Sequence, residues 1–419
     1  LADPSAITVP FREQAEFWRR KVNVPTASWR DLQREDHAHG FMVAGAARLD
    51  LVDDLRKAVD RAILEGGTIA DFRRDFDAIV ARTGWQYQGG RNWRTRIIYT
   101  TNVRSAYMAG RWQQIQAIKH RRPFLQYVHN DSVRHPRPDH LSWNGKVLAV
   151  DDPWWSTHFP PNGYGCQCTV ITLAQRDLAR AGKDGPDQAP TETEDTAGID
   201  PGFDYNGGIA ASSMPSAVRF GQKVMQLPAD WRGQVLTDAQ QRPQDSFAGW
   251  AGTMRRVVAE LTEAEGTGKA VQPRGTVSAV GFLRPAVADA IVAGRTGLPA
   301  QAAPTALLAV EDQRLYHALR SAKGEDAAVL RQALIDLLRW LSDAASGVLW
   351  DSRAGNLVYA HRLADGRYIK LAFDLEQRAE RNRIMRKAQL NANWLRTAGI
   401  VENYNLREAH YVLLDGAIE

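Results

Sequence analysis

Cysteine is nearly absent from this chain of 419 residues; there are two, Cys166 and Cys168. That scarcity excludes a disulfide-built scaffold and suits a reducing cytoplasm. Long apolar runs are missing as well, and none approaches the ~18 residues that a membrane-spanning helix requires. The opening stretch LADPSAITVPFREQAEFWRR has neither a basic start nor an apolar signal core, so the expectation is a soluble protein with no export signal and no membrane partner. Acidic residues are scarce in one place. From Arg91 to Arg137 there are ten Arg or Lys residues and a single acid, Asp131. Such a block can face nucleic acid or an acidic protein surface. No helix-turn-helix, RNP-like or finger motif accompanies it, which argues against sequence-specific base reading.

What is present supports real cores. Hydrophobic residues make up 44% of the chain, and its length calls for two or three domains. Phe11–Arg20 reads as a short helix, and Pro25-Thr26 starts a second around Trp29 and Leu32. Leu49, Val52, Leu55, Val59 and Ile63 recur at helical spacing up to Gly66-Gly67. Thr68 and Asp71 then form a capping box for a helix closed by Gly84, and the short hinge makes the two an antiparallel pair. A longer helix runs from Trp93 to Lys119, followed by a strand at Phe124–Val128.

The chemistry concentrates between His129 and Thr169, which holds both cysteines and four of the ten histidines. Prolines at 136, 138, 153, 160 and 161, with Asn144-Gly145 and Asn162-Gly163, make this shaped loop carrying short strands at Lys146–Val150 and Cys168–Leu173. Cys166 and Cys168 then point to one side. With His140 and His158, and His135 as an alternative ligand, they form a mixed His/Cys set that can hold zinc. Two reduced, half-buried thiols are the other reading; a disulfide across one residue is strained. Asp151 and Asp152 can bind a cation or cap the turn before Pro153.

Residues 181–210 turn acidic and rich in Pro, Gly and Thr, as in an exposed linker. The expected order is therefore a domain at 1–180, the linker, a middle region or extended arm at 211–300, and a smaller α+β domain at 301–419. In the last of these, a helix around Leu330–Leu341 precedes strands at Val348–Trp350, Leu357–Arg362 and Tyr368–Phe373, with a turn at Asp365-Gly366. Gln377–Arg396 reads as a basic helix and His410–Leu414 as a closing strand. His361, Lys370 and His410 are the base, acid and cation candidates for metal-independent RNase chemistry; a solvent-facing sheet edge is the alternative. The fold class is α+β throughout: a helical N-terminal domain with a small antiparallel sheet and long Pro/Gly-shaped loops, then the linker and the smaller C-terminal domain.

Five linked stretches carry a family resemblance: HGFMVAGAARLDLVDDLRKAVD (39–60), DFRRDFDAIVARTGWQYQGGRNWR (71–94), YTTNVRSAYMAGRWQQ (99–114), HPRPDHLSWNGKVL (135–148) and DDPWWSTHFPPNGYGCQC (151–168). Over residues 11 to about 206 the chain resembles the phage Mu F-like minor head proteins of tailed bacteriophages. The resemblance implies a low-copy internal component of the procapsid, acting in head assembly with the portal protein or the major capsid protein. It also implies location in the virion, and in the host cytoplasm during assembly, with packaged DNA facing the basic 91–137 block. It places Tyr99, Thr100, Thr101, Asn102 and Arg104 on a helix motif, and Asp131, His140, Gly145, His158, Cys166 and Cys168 on a loop-and-strand motif that also spans Asp151, Asp152, Trp154 and Trp155. Many members have two further cysteines where this chain has HPRPDH, so His135 and His140 would stand in for thiolates. The tail, with AHRLADGRYIK (360–370) and LRTAGIV (395–401), bears a faint resemblance to phage-associated barnase/EndoU/colicin/RelE-like nucleases, implying a packaged or injected effector as the alternative function.

Overall fold

The chain divides between Ser213 and Met214 into two units of nearly equal size, so the C-terminal unit is not the smaller domain expected. The computed structural model describes residues 11–419 apart from 134, 192–195, 243–246, 248, 268–270, 272, 295–303, 322–324 and 379–381. Each unit combines helices with a sheet, as the α+β reading requires.

The first unit opens with helix α1 (Arg12–Arg19), followed by the short parallel pair β1 (Val22–Asn23) and β2 (Gly40–Phe41). Where a helix was expected around Trp29 and Leu32, the Asp31 carboxylate accepts the amides of Ala27 (2.8 Å) and Ser28 (2.9 Å). That local side-chain bond replaces the helical ladder. Helices α2 (Leu49–Leu64) and α3 (Ile69–Thr83) follow. They run antiparallel, tied by the Arg61–Asp75 and Arg82–Asp54 ion pairs. Thr68 and Asp71 cap α3 reciprocally, and Gly84 ends it in the left-handed conformation at φ 66°.

Helix α4 (Arg91–Ile118) is the spine of this unit. At Gly110 it meets α1 so closely that a Cβ there would stand 2.6 Å from the Gln14 amide nitrogen. Buried Arg56, on α2, donates to the carbonyls of Trp18 (3.1 Å) and Arg19 (3.2 Å) and to that of Lys21, and so satisfies the exposed end of α1. The apolar core between these helices is built from Trp18, Phe41, Leu55, Phe72, Phe76 and Ile98.

A three-stranded antiparallel sheet leaves the end of α4: β3 (Phe124–Val128), then helix α5 (Pro138–Trp143), β4 (Val147–Ala149), the single turn α6 (Trp155–His158) and β5 (Thr169–Leu173). Its order is β4-β3-β5, with Leu125 opposite Leu148 on one side and Thr172 on the other. Residues 181–210 are not a free linker along their described length. Asp187 exchanges bonds with the Val147 backbone (2.7 and 2.8 Å), and Asp200 accepts Arg137 (2.6 Å) and the Tyr164 amide (2.8 Å). Two of the acids that suggest solvent exposure, Asp187 and Asp200, instead accept backbone and guanidinium donors.

The second unit begins with helices at Met214–Gln226, Ala229–Gln241 and Trp250–Thr267, and the described residues between 214 and 294 belong to this unit. Its sheet has seven strands: β6 (Val277–Phe282), β7 (Leu307–Glu311), β8 (Gly347–Asp351), β9 (Asn356–Arg362), β10 (Tyr368–Arg378), β11 (Asn391–Val401) and β12 (Tyr411–Asp415). The order is β12-β8-β9-β10-β11-β7-β6, antiparallel except where β11 runs parallel to β7. The expected basic helix over 377–396 is a short helix, Arg383–Ala388, and then β11. Pairing along β10 and the bonds from buried Asn393 to Thr305 O (2.8 Å) and Leu307 O (3.1 Å) override the helical composition of this stretch.

Candidate metal centre

Alternation along β3 buries Leu125 and Tyr127, and continues one step past the strand to bury His129. Helix α5, started by Pro138, carries His140 inward, where its ring stacks on Trp143 with centroids 5.0 Å apart. Next comes the loop before β5. Gly165 takes φ 72° and the Cys166 amide bonds back to Gly163 O at 3.1 Å, so that Cys166 and Cys168 both enter the core. The left-handed glycine is thus Gly165, not Gly163 of the Asn-Gly pair; Gly163 is needed because a Cβ would collide with Asp200 and Arg137.

His140 Nδ1, Cys166 Sγ and Cys168 Sγ all lie within 4.8 Å of one another, and all three residues are buried. The imidazole nitrogen stands 3.5 Å from Cys168 Sγ and 3.8 Å from Cys166 Sγ. On its far side, Nε2 is 2.9 Å from Gly198 O and so donates to that carbonyl. This fixes the tautomer and leaves the Nδ1 lone pair turned toward the sulfurs, as in metal-ligating histidines. Gly198 presents its carbonyl from φ 76°, against Asp139, where no larger residue fits.

The neighbouring Cys166 thiol holds Cys168 down to about 6, and the same contact together with burial pushes Cys166 up to about 12. The mutual bond thus favours the thiolate at Cys168 over that at Cys166, and remaining thiol protons leave when a cation binds. An imidazole lone pair facing a thiolate across 3.5 Å needs a proton or a cation between them. The donor set fits a thiophilic divalent metal.

The motif residues frame this cluster. Arg104, on α4, donates to Cys168 O at 2.7 Å and so ties the helix to the cysteine loop. Tyr99 donates to Gly67 O (3.0 Å), Thr100 to Arg96 O (2.7 Å) and Asn102 to Ile98 O (2.9 Å). Thr101 and Asn102 also border a cavity of about 80 Å³ shared with Lys21, His37 and Tyr205. Gly145 makes its turn at φ 82°, Asp152 accepts the Trp154 amide at 2.9 Å, and Asp151 pairs with Lys119 at 2.7 Å. Trp155 donates to Ala149 O at 3.0 Å.

His158 is placed differently from the expectation. Its ring stacks on Trp154 (4.4 Å) and its Nδ1 meets Thr157 Oγ1 at 2.8 Å, outside the His/Cys/Cys group. His135 is exposed. The residue that the spacing argument passed over is His129, whose Nδ1 is 3.4 Å from Cys168 Sγ. The signal was the strand alternation 125, 127, 129.

Residues 53–171 match the family described as Phage Mu protein F like protein. The matched segment runs from within α2 into β5, and takes in His129, His140, Cys166 and Cys168 along with the α4 motif. Over 405 residues the chain is 28% identical to the "Putative capsid assembly protein F" of Escherichia phage Mu, with 86% of each chain covered. It is also 28% identical over 221 residues to the "Mu-like prophage FluMu F protein" of Haemophilus influenzae, covering 50% of this chain and 52% of that one. No solved structure matches.

Within and beside the matched segment, the basic block is largely occupied. Seven of its ten cations, Arg91, Arg94, Arg104, Arg111, Lys119, Arg122 and Arg137, bond to groups of the same unit. Arg96 and Arg121 are exposed, and Arg134 lies outside the described residues. In the second unit the three nuclease candidates do not form one cluster. Lys370 pairs across the ladder with Ala360 and Ile369 with His361, so Lys370 and His361 occupy opposite faces of the sheet. His361 stacks on Trp340 and bonds Ser346 Oγ at 3.0 Å; Lys370 Nζ donates to Tyr411 OH at 2.5 Å, and His410 packs on that same tyrosine. Among the described residues no helix is long and apolar enough to cross a membrane.

Proposed function

We propose that this chain is a minor head protein of a Mu-like tailed phage: a low-copy internal component acting in procapsid assembly, at or near the portal and the capsid shell. The observation that carries the reading is the 28% identity over 405 residues to the capsid assembly protein F of phage Mu. A match to 86% of the chain cannot be contained in residues 1–213, so the likeness extends into the second unit. That unit then reads as a standing part of the head protein, not as an interchangeable effector. The opposite-face placement of His361 and Lys370 supports the same choice.

The partner class is a protein surface, the portal protein or the major capsid protein, in preference to packaged DNA. Cations already bonded within their own unit have little left to offer phosphates. In the buried cluster, two thiolates with imidazole favour zinc over the harder divalent cations. Its work there is to brace the loops from 129 to 168 against α4. The protein then resides in the phage head, and in the host cytoplasm while heads are built.

Deleting the gene from an inducible lysogen and assaying the lysate tests the reading. The expected result is a large fall in infectious titre, with the polypeptide found by mass spectrometry in purified wild-type heads at far lower abundance than the major capsid protein. Heads that lack the polypeptide, together with an unchanged titre on deletion, would end it.

A further inference from the structure

We infer that His129 is the fourth ligand of the buried cluster, completing a closed Cys2His2 site with Asp131 as the carboxylate behind it. The inference rests on the metal reading above and goes beyond it in naming a residue and a coordination state. Tetrahedral zinc with bonds of ~2.3 Å to sulfur and ~2.05 Å to nitrogen sets its ligands ~3.5 Å apart across a sulfur–nitrogen edge. The observed edges are 3.4 Å from His129 Nδ1 to Cys168 Sγ, 3.5 Å from His140 Nδ1 to Cys168 Sγ and 3.8 Å from His140 Nδ1 to Cys166 Sγ, while His129 lies outside the group whose donor atoms are all within 4.8 Å of one another, so its ring moves inward as the metal binds. These ligands come from the end of β3, from α5 and from the loop before β5; the β3–β5 ladder brings the first and last of these together, and α5 stands outside it.

The rest of the His129 ring points the same way. Its side chain is 2% exposed, and Nε2 is buried without a hydrogen-bond partner among the described residues. The Asp131 carboxylate stands 4.0 Å from that nitrogen on an 88% exposed side chain. A small rotation of Asp131 closes this gap and gives the carboxylate–histidine–metal arrangement that orients an imidazole and raises its basicity. His140 already has its equivalent partner in Gly198 O. With four protein ligands no coordination position is left for water, so the site serves the fold and not a hydrolytic reaction.

Full-length protein loaded with cobalt(II) in place of zinc tests this directly, with total metal measured in parallel. Wild type is expected to bind about one equivalent with the visible spectrum of a tetrahedral two-thiolate site. His129→Cys should keep the metal and raise the thiolate-to-cobalt charge-transfer band by about one half, three thiolates replacing two. Asp131→Asn, a surface change that leaves the core intact, should weaken affinity about 10-fold or more. His158→Ala should keep the wild-type spectrum and affinity. If His129→Cys binds metal with the wild-type charge-transfer intensity, His129 is not a ligand, while the metal reading stands. Absence of metal from every protein overturns both, and leaves the head-assembly reading to its own test.

Discussion

Lys21 shows what burial does to a single titrating group. Its side chain is 2% exposed, lying over the rings of Phe17 (4.9 Å) and Trp18 (5.4 Å). Loss of water, with the charge of Arg56 adding to it, brings its pKa down from 10.5 to about 7. Below pH 7 both native and unfolded chains carry the proton, and the native state bears the full cost of a buried charge. Between 7 and 10.5 the native amine is neutral while the unfolded one is still protonated, so stability climbs with pH by up to about 1.4 kcal/mol per unit. Urea midpoints at pH 7, 8.5 and 10 should therefore rise more steeply for wild type than for Lys21→Met, which should also be the more stable protein at pH 7. Parallel profiles would rule this out.

Helices feel their glycines in opposite ways, depending on what a Cβ would meet. On α4, the Gly110 position lies 2.6 Å from the Gln14 amide nitrogen and 2.9 Å from the Glu13 carbonyl carbon, both backbone atoms that cannot swing aside. Gly110→Ala should force α1 away from α4 and cost about 1–3 kcal/mol. In the helix Ala229–Gln241, nothing lies within 4 Å of a Cβ built at Gly233. There Gly233→Ala removes freedom from the unfolded chain and should gain about 0.5–1 kcal/mol. Denaturant unfolding of the two variants side by side reads the contrast; two changes of the same sign would mean that the α1–α4 approach is looser than described.

At the scale of the whole molecule, each unit has its own sheet and its own buried core, and the candidate metal centre belongs to the first. Removing a metal that joins β3, α5 and the cysteine loop should loosen that unit alone. Hydrogen exchange read by mass spectrometry, before and after incubation with a strong chelator, should show lost protection within residues 120–175 and none in 214–419. Equal loss in both units, or none in either, would count against a structural metal. The expectation agrees with the proposed role, since a head component must hold one shape through assembly.

Much of the first unit was legible because its signals are local. The apolar spacing Leu49 to Ile63, the Thr68–Asp71 box and Gly84 each specify a helix or its end through neighbours a few residues away, and those helices formed as read. The sequence by itself also placed Cys166 and Cys168 on one side, because alternation along an extended chain is a two-residue rule. Only the tertiary structure decided which histidine meets them. His158 is eight residues from Cys166, yet it turns onto Trp154, whereas His129 and His140 arrive from a strand end and a helix set apart by loop geometry. The same holds for 377–396, where a helix-favouring composition gave way to strand pairing with β10, and for Asp187 and Asp200, which bond to Val147 and Arg137, 40 and 63 residues away. Local propensity is worth a fraction of a kcal/mol per residue, and a continuous ladder or a set of hydrogen bonds between distant segments outweighs it.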